Sequence, residues 1–375
     1  MPTKRISVVL LARSLEVGGA ERQLVGLARG LRERGHLVKI VLFYRRGALL
    51  ADLEGSGIPI VDLRKAGRWD IVRFLLRGAV ALRRERPQII YSFLGGANLV
   101  ACAIRPFVRG SRFVWSIRAS NMDLDSYDWV RRLAYRLECR LSRTPDLIIA
   151  NSSAGAAHSV GNGFAHDRIV VIPNGIDTDR FKPDPGRRAA QRSAWGLRGN
   201  QIAVGLVARL DPMKGHKIFL KAAQLAGSKN PEMRFFCVGS GPQMQSLELI
   251  ADELGLGDRL VFTGESEPVA ALNALDIACS SSLWGEGFSN SIAEAMACGL
   301  PCIVTDVGDS GQIVGATGTV VPPGSATAIA NAILRQAESL ASHRADEPRA
   351  RIIENFSMSM MVENTLQAFH EQLGL

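Results

Sequence analysis

Residues 275–306 read LDIACSSSLWGEGFSNSIAEAMACGLPCIVTD. The stretch opens with an apolar run at 275–281 and closes with another at 301–306, each the length of a buried strand. Between them a Gly-flanked polar loop leads into an Ala-rich segment. That segment predicts a helix from about Ser289 to Cys298, stopped by Gly299-Leu300-Pro301. Strand, loop, helix, strand is a βαβ unit, and repeats of it make a parallel sheet covered on both faces.

The same alternation extends outward in both directions. Downstream lies TGTVVP (317–322); upstream lie RLVFTG (259–264), RFFCVG (234–239) and QIAVGLVAR (201–209). A Pro-, Gly-, Asn- and Asp-rich segment, PNGIDTDRFKPDPG (173–186), reads as a linker. Before it the pattern appears again: ISVVLLA (6–12), LVKIVLF (37–43), QIIYSF (88–93), RFVWSI (112–117), DLIIANS (146–152) and RIVVIP (168–173). A helix is predicted from about Ala20 to Arg34, ending at Gly35. The expectation is α/β: two doubly wound Rossmann-like domains whose sheets face a central cleft, with ligands beyond the carboxyl ends of the strands.

Size and composition agree. The chain has 375 residues, 47% hydrophobic and 22% charged, enough for two cores. Mean hydropathy is +0.08, yet no apolar run reaches membrane-spanning length. KRISVVLLAR at the start reads as a first buried strand rather than a signal peptide, because no small-residue cleavage site follows it. The six cysteines, at 102, 139, 237, 279, 298 and 302, lack metal spacing and read as reduced core residues of a cytoplasmic protein.

Charge is uneven. Residues 1–175 carry 28 Lys and Arg against 14 Asp and Glu, a net +14; residues 176–375 carry 17 against 22, a net −5. The basic half calls for an anionic partner. Arg132, Arg136, Arg140 and Arg143 recur at helical spacing beside Leu133, Leu137 and Leu141. A second cluster runs through Arg64, Lys65, Arg68, Trp69, Arg73, Arg77, Arg83, Arg84 and Arg86. Basic helices with apolar neighbours suit an anionic membrane surface. Aromatic content of 6% and the lack of a recognition motif speak against nucleic acid.

Three stretches carry chemistry. In LARSLEVGGAERQ a strand runs into Gly18-Gly19 and a helix, which lets backbone amides approach a phosphate. The third glycine of a dinucleotide fingerprint is missing, and no acidic residue closes the next strand. In VGLVARLDPMKGH, Arg209 ends a strand and Lys214 follows five residues on; two cations there fit a diphosphate and can neutralise a leaving group. In the opening stretch, Glu286 precedes a helix and Glu294 lies inside it, so the two carboxylates are spaced along one ligand rather than paired. Carboxylates accept hydrogen bonds from sugar hydroxyls. The plain alternatives are solvated loop charges at Arg209 and Lys214, a capping Glu286 and a surface Glu294. GSGPQM (239–244) reads as a turn, and His158 as a helix-surface residue.

Together these segments resemble a family 4 glycosyltransferase with the GT-B fold, of the polysaccharide-assembly kind. The resemblance runs in order through GGAER, IIANS, VIPNGID, ARLDPMKG, CVGSGP, VFTG, EGFSNSIAEAMACGLPCIVTD and TGTVVPPG, and is closer in the second half. It implies an acceptor-side domain at 1–175, a donor domain at 176–357, and a terminal helix at about 358–375 that packs back on the first. It also implies retaining transfer from a nucleotide-diphospho-sugar, UDP- or GDP-linked, without a metal. Arg209 and Lys214 would then hold the diphosphate. Glu286 would contact the donor sugar, with the amides of Gly287, Phe288, Ser289 and Asn290. Glu294 would hold the ribose and Gly19 would contact the phosphate. A lipid-linked saccharide, carried for example on polyprenyl diphosphate at the inner face of the membrane, is the implied acceptor. The family often has a histidine where FVWSIRAS places Arg118, which cannot act as a base but can bind phosphate or a hydroxyl. Asp123 and Asp125 form a D-x-D, read here as unrelated to metal. The rival readings are a GT-B sugar-nucleotide epimerase and a non-catalytic sugar-nucleotide-binding protein.

Overall fold

The computed structural model describes residues 4–375 except 68–69, 119–128 and 343. Arg68, Trp69, Asp123 and Asp125 therefore lie outside the described residues. The chain divides into two compact units, 1–175 with 358–375, and 176–357.

The first unit is built on a parallel seven-stranded sheet. Its strands are β1 (Ser7–Ala12), β2 (Leu37–Leu42), β3 (Ile60–Asp62), β4 (Ile89–Ser92), β5 (Arg112–Ile117), β6 (Leu147–Ala150) and β7 (Ile169–Val171). They lie in the order β3-β2-β1-β4-β5-β6-β7. The helices are α1 (Gly19–Glu33), α2 (Ile71–Glu85), α3 (Gly95–Ile104), α4 (Trp129–Leu141) and α5 (Ser153–Gly161). The sense in which successive strands are added reverses between β1 and β4, and in doubly wound sheets the crevice for a ligand lies beyond the carboxyl ends at that point.

Alternation along the strands makes two cores. Val8, Leu10, Tyr91 and Val114 face α1. Val9, Leu11, Ile90 and Phe113 face α2 and α3. Strand β3 is absent from the sequence prediction. It has three half-buried residues at the sheet edge and no apolar run to announce it.

The second unit holds a parallel six-stranded sheet ordered β10-β9-β8-β11-β12-β13. Its strands are β8 (Ile202–Val207), β9 (Met233–Val238), β10 (Leu260–Gly264), β11 (Ile277–Ser280), β12 (Cys302–Thr305) and β13 (Thr319–Val321). Its helices are α6 (Pro185–Ala194), α7 (His216–Lys229), α8 (Met244–Glu253), α9 (Pro268–Ala274), α10 (Asn290–Ala297), α11 (Ser310–Val314), α12 (Ala326–Glu338) and α13 (Asp346–Phe356). The reversal here falls between β8 and β11. Asp276, just before β11, fastens α6 to the sheet: it accepts from Arg188 at 2.5 Å, from Arg192 at 2.9 Å and from the amide of Ala203 at 2.8 Å.

The terminal helix α14 (Met358–Leu373) returns to the first unit and packs on α1. Gly26 and Gly30 of α1 make this possible, since a Cβ at either would meet Met358 or Val362 within 2.5 Å. Phe369 of α14 is fully buried, edge-on to Tyr91 with ring centroids 5.7 Å apart. Cys237, Cys279, Cys298 and Cys302 are buried free thiols, and Cys102 and Cys139 are half-buried.

Candidate functional site

The carboxyl ends of β8 and β11 are brought side by side by the strand order, and two loops meet there. After β8 the chain turns through Asp211, whose carboxylate accepts from the amide of Met213 at 3.3 Å and starts a short helical turn, Pro212–Lys214. Gly215 ends that turn with φ +67°, and a Cβ there would lie 2.0 Å from the carbonyl oxygen of Ser281. Only glycine allows the two loops to approach so closely. Ser281 then donates to the carbonyls of Lys214 and Gly215 at 2.9 and 3.0 Å, and Leu283 donates its amide to Met213 at 2.8 Å.

This clamp fixes Lys214 against Glu286. The ammonium donates to Glu286 Oε1, which also accepts from Ser282 Oγ at 2.8 Å. Glu286 is only 6% exposed. Burying a carboxylate is costly unless it is paired and hydrogen-bonded, and here it is both. Ala208, Lys214, Ser280, Ser282, Glu286 and Ser291 line one pocket at this edge of the sheet. A separate cavity in the first unit, lined by Ser7, Lys39, Glu85 and Pro87, lies at the amino ends of β1 and β4, the wrong edge for a ligand of a doubly wound sheet.

The loop after Glu286 leads straight into a helix. Gly287, Phe288 and Ser289 are buried, Ser289 is the N-cap of α10, and α10 begins at Asn290. Ser289 makes no side-chain cap bond, so the positive end of α10 is left to backbone amides. Phe288 packs edge-on to Phe356 at 5.4 Å and anchors the loop in the core. Gly308, at φ +62°, braces it from behind: a Cβ there would come within 2.4 Å of the Glu286 carbonyl. Glu294 is inside α10 and 8% exposed, so it is not the surface residue of the plain alternative.

Arg209 is placed differently from Lys214. It is 68% exposed and pairs with Asp211. His216 opens α7, is 1% exposed, and has neither ring nitrogen hydrogen-bonded; burial first, and then the nearby Lys214 charge, lowers its pKa to about 4.

In the first unit Gly19 is the exposed first residue of α1. Glu21 folds back over this turn, and a Cβ on Gly18 would lie 2.2 Å from its carboxylate. Burial raises the pKa of Glu21. Its carboxylate thus occupies the anion-attracting start of α1, a contact the sequence reading missed. Arg118, at the end of β5, is half-buried rather than a free surface residue. It donates to Asn174 Oδ1 and to the Tyr91 hydroxyl, both at 2.9 Å, and its guanidinium lies 4.7 Å from the Phe93 ring centroid. Behind it Glu138 of α4 is buried against Gly95 and accepts from Asn98 at 2.6 Å. Burial pushes the Glu138 pKa up to about 7. His158 lies on α5, half-buried, where Asn162 folds against it.

Two family models match the chain. The model described as glycosyltransferase family 4 covers residues 17–180, and the one described as glycosyl transferases group 1 covers 201–339. Among curated proteins, a GDP-mannose-dependent α-(1-6)-phosphatidylinositol monomannoside mannosyltransferase of Mycolicibacterium smegmatis is 34% identical over 43% of this chain and 45% of its own. A UDP-Gal:α-D-GlcNAc-diphosphoundecaprenol α-1,3-galactosyltransferase of Escherichia coli is 33% identical over 39% of each chain. The chain spans about half the length, or less, of the curated relatives it matches. Among solved structures, Anabaena HepE, crystallised with UDP and glucose, superimposes with a TM-score of 0.86 at 23% identity, over 98% of this chain and 100% of that one. The sucrose-phosphate synthase of Thermosynechococcus elongatus superimposes at 0.82 with 19% identity, over 98% of this chain and 99% of that one. The fold is therefore GT-B.

Proposed function

Because the chain belongs to the group 1, family 4 glycosyltransferases, we propose that it transfers a sugar, with retention, from a nucleotide-diphospho-sugar to a saccharide acceptor. The observation that supports this most is the cluster of half-buried Lys214 with buried Glu286 and Ser282 at the carboxyl ends of β8 and β11, beside the start of α10. It sets a cation, a carboxylate and the hydroxyl-bearing Ser282 and Ser291 around one pocket.

In this reading Lys214 and Arg209 hold the donor diphosphate and neutralise the charge that grows on it as the glycosidic bond breaks. Each cation is paired with a carboxylate, Arg209 with Asp211 and Lys214 with Glu286, and the diphosphate takes over part of that pairing. Glu286 and the loop 287–290 orient the hydroxyls of the donor sugar, and Glu294 accepts from the ribose. The acceptor hydroxyl attacks the anomeric carbon on the face that the diphosphate leaves. Its proton passes to a departing phosphate oxygen, and the nucleoside diphosphate is released. Arginine and lysine supply the positive charge, so the scheme calls for no metal. Arg118 offers a fixed cation to an anionic or hydroxyl group on the acceptor side.

A saccharide carried on polyprenyl diphosphate is the proposed acceptor, in assembly of a cell-surface polysaccharide. The enzyme would work in the cytoplasm at the inner face of the membrane. Among the described residues no helix is long and apolar enough to cross a membrane.

The test is incubation with UDP- and GDP-sugars and a polyprenyl-diphosphate-linked saccharide, followed by mass spectrometry and NMR of the new linkage. An acceptor heavier by one sugar, with the donor's anomeric configuration, supports the reading. An inverted linkage contradicts retention. An isomerised donor with an unchanged acceptor assigns the chain to the epimerase class instead.

A further inference from the structure

The first unit carries a surface that sugar transfer does not explain. Helices α2 and α4 flank α3 on one face of the sheet, and α3 packs against both. Gly78 of α2 permits the close approach, since a Cβ there would lie 2.7 Å from Ile104 of α3. The inward sides of this layer are ordinary core: Phe74 and Leu82 of α2, Ala97 and Ala101 of α3.

The outward sides are not ordinary. Along α2, Val72, Leu76 and Val80 form an exposed stripe four residues apart, with Val72 71% exposed. Arg73, Arg77 and Arg84 run beside it, also exposed. Along α4, Trp129, Leu133 and Leu137 repeat the spacing, with Trp129 70% exposed, and Arg132, Arg136 and Arg140 run beside them. Between the two helices α3, GGANLVACAI, has no charged residue, and the exposed Phe107 follows it.

Among the described residues, acidic side chains are withdrawn from this face. Asp70, just before α2, is paired with Arg77, and Glu85 of α2 with Lys39, while Glu138 of α4 is buried. What remains outward is apolar groups and arginines, on two helices in the same layer.

We propose that α2, α3 and α4 form a single docking face for an anionic lipid bilayer. The aliphatic and indole side chains enter the interface, and the flanking arginines meet the phosphates of the headgroups. One helix of this kind binds weakly, and two in one plane bind together. The orientation has a consequence. Helices in a parallel sheet start where strands end, so Ile71, Val72, Leu94, Trp129 and Val130 cluster toward the carboxyl edge. That is the edge where the unit takes its ligand. The face deepens, and draws its purpose from, the reading of a lipid-linked acceptor, but vesicle binding can be measured without any acceptor.

The experiment is sedimentation of the whole chain with phosphatidylcholine vesicles and with vesicles half phosphatidylglycerol. Three variants are compared: Val72→Ser with Leu76→Ser, Leu133→Ser with Leu137→Ser, and Arg132→Gln with Arg136→Gln. The altered side chains are exposed, and circular dichroism confirms folding. The expected result is binding to anionic vesicles only, weakened about tenfold or more by each pair. Charge attraction of about fivefold per arginine makes the third variant and 0.5 M salt act alike. Binding that is absent from anionic vesicles, or unaffected by the α2 or α4 changes, overturns the proposal and leaves the face to a protein partner. Vesicle binding without sugar transfer would sink the enzymatic reading while sparing this one.

Discussion

Lys214 and Glu286 are 72 residues apart in sequence, and the ammonium of one donates to the buried carboxylate of the other. The pair exists because β8 and β11 are neighbours and Gly215 lets their loops touch. A ligand diphosphate reaching Lys214 meets an ammonium already shared with Glu286. Two consequences follow for kinetics. Lys214→Ala removes the cation and strands a buried charge, so turnover falls by at least about 10²-fold. Glu286→Gln keeps an acceptor for Ser282 and Lys214 but removes a negative charge beside the diphosphate. Nucleoside diphosphate then binds at least as tightly while kcat falls. Steady-state kinetics and calorimetry separate the two effects, and an unchanged kcat in Lys214→Ala would place the diphosphate elsewhere.

Two left-handed glycines of the second unit, the exposed Gly324 and the loop-bracing Gly308, can be ranked. Gly324 has φ +78° with nothing within 4 Å of an added Cβ, so Gly324→Ala carries only the left-handed backbone cost, about 1–2 kcal/mol. Gly308→Ala adds a backbone clash with Glu286 and Gly287. It should lower the melting temperature of the second unit further and abolish activity. Equal melting temperatures for the two variants would show that the loop is not braced as described.

These contacts show what the sequence does and does not carry. Most strands were legible because each is an apolar run bounded by turn residues, as in RFFCVG and PCIVTD. The edge strand β3 was not, because three half-buried residues leave no run. Helix α10 could be placed almost to the residue, since Ser289 starts it and Gly299-Leu300-Pro301 stops it. Glu286, Glu294, Arg209 and Lys214 were legible as residue types at turns and helix starts. Their pairing was not: that Glu286 holds Lys214, and Asp211 holds Arg209, depends on side-chain geometry that spacing does not express. The Glu21 carboxylate over Gly18 and the Glu138–Asn98 contact between α4 and α3 are of the same kind.

Two buried groups should tilt stability with pH in opposite directions. The Glu138 pKa is raised from 4.5 to about 7, so its folded form favours the proton. Its contribution is complete below about pH 4.5 and is lost as pH rises through about 7. His216 is lowered from 6.5 to about 4, so its contribution is present above pH 6.5 and is lost as pH falls toward about 4. Each effect amounts to at most about 3 kcal/mol. Glu138 belongs to the first unit and His216 to the second. Relative to the parent chain, Glu138→Gln should gain stability as pH rises from 4.5 to 7. His216→Leu should gain it as pH falls from 6.5 to 4. Melting curves across pH 4–7.5 check both, and parallel profiles for variant and parent would refute the burial argument.

Chelation tests the source of positive charge. With Arg209 and Lys214 as the diphosphate partners, 5 mM EDTA should leave turnover unchanged. A loss of activity restored by Mn²⁺ would overturn the metal-free reading of Asp123 and Asp125 and make them candidate ligands.

The central claim is that the loop 282–294 and Lys214 form a nucleotide-sugar site. The most direct measurement is a metal-free thermal-shift titration with UDP-, GDP-, ADP- and CMP-sugars, run on the parent chain and on Glu294→Gln. The account predicts stabilisation by one nucleotide class, weakened at least about tenfold by the substitution of this buried acceptor. An equal shift in both proteins, or none with any nucleotide sugar, would contradict it.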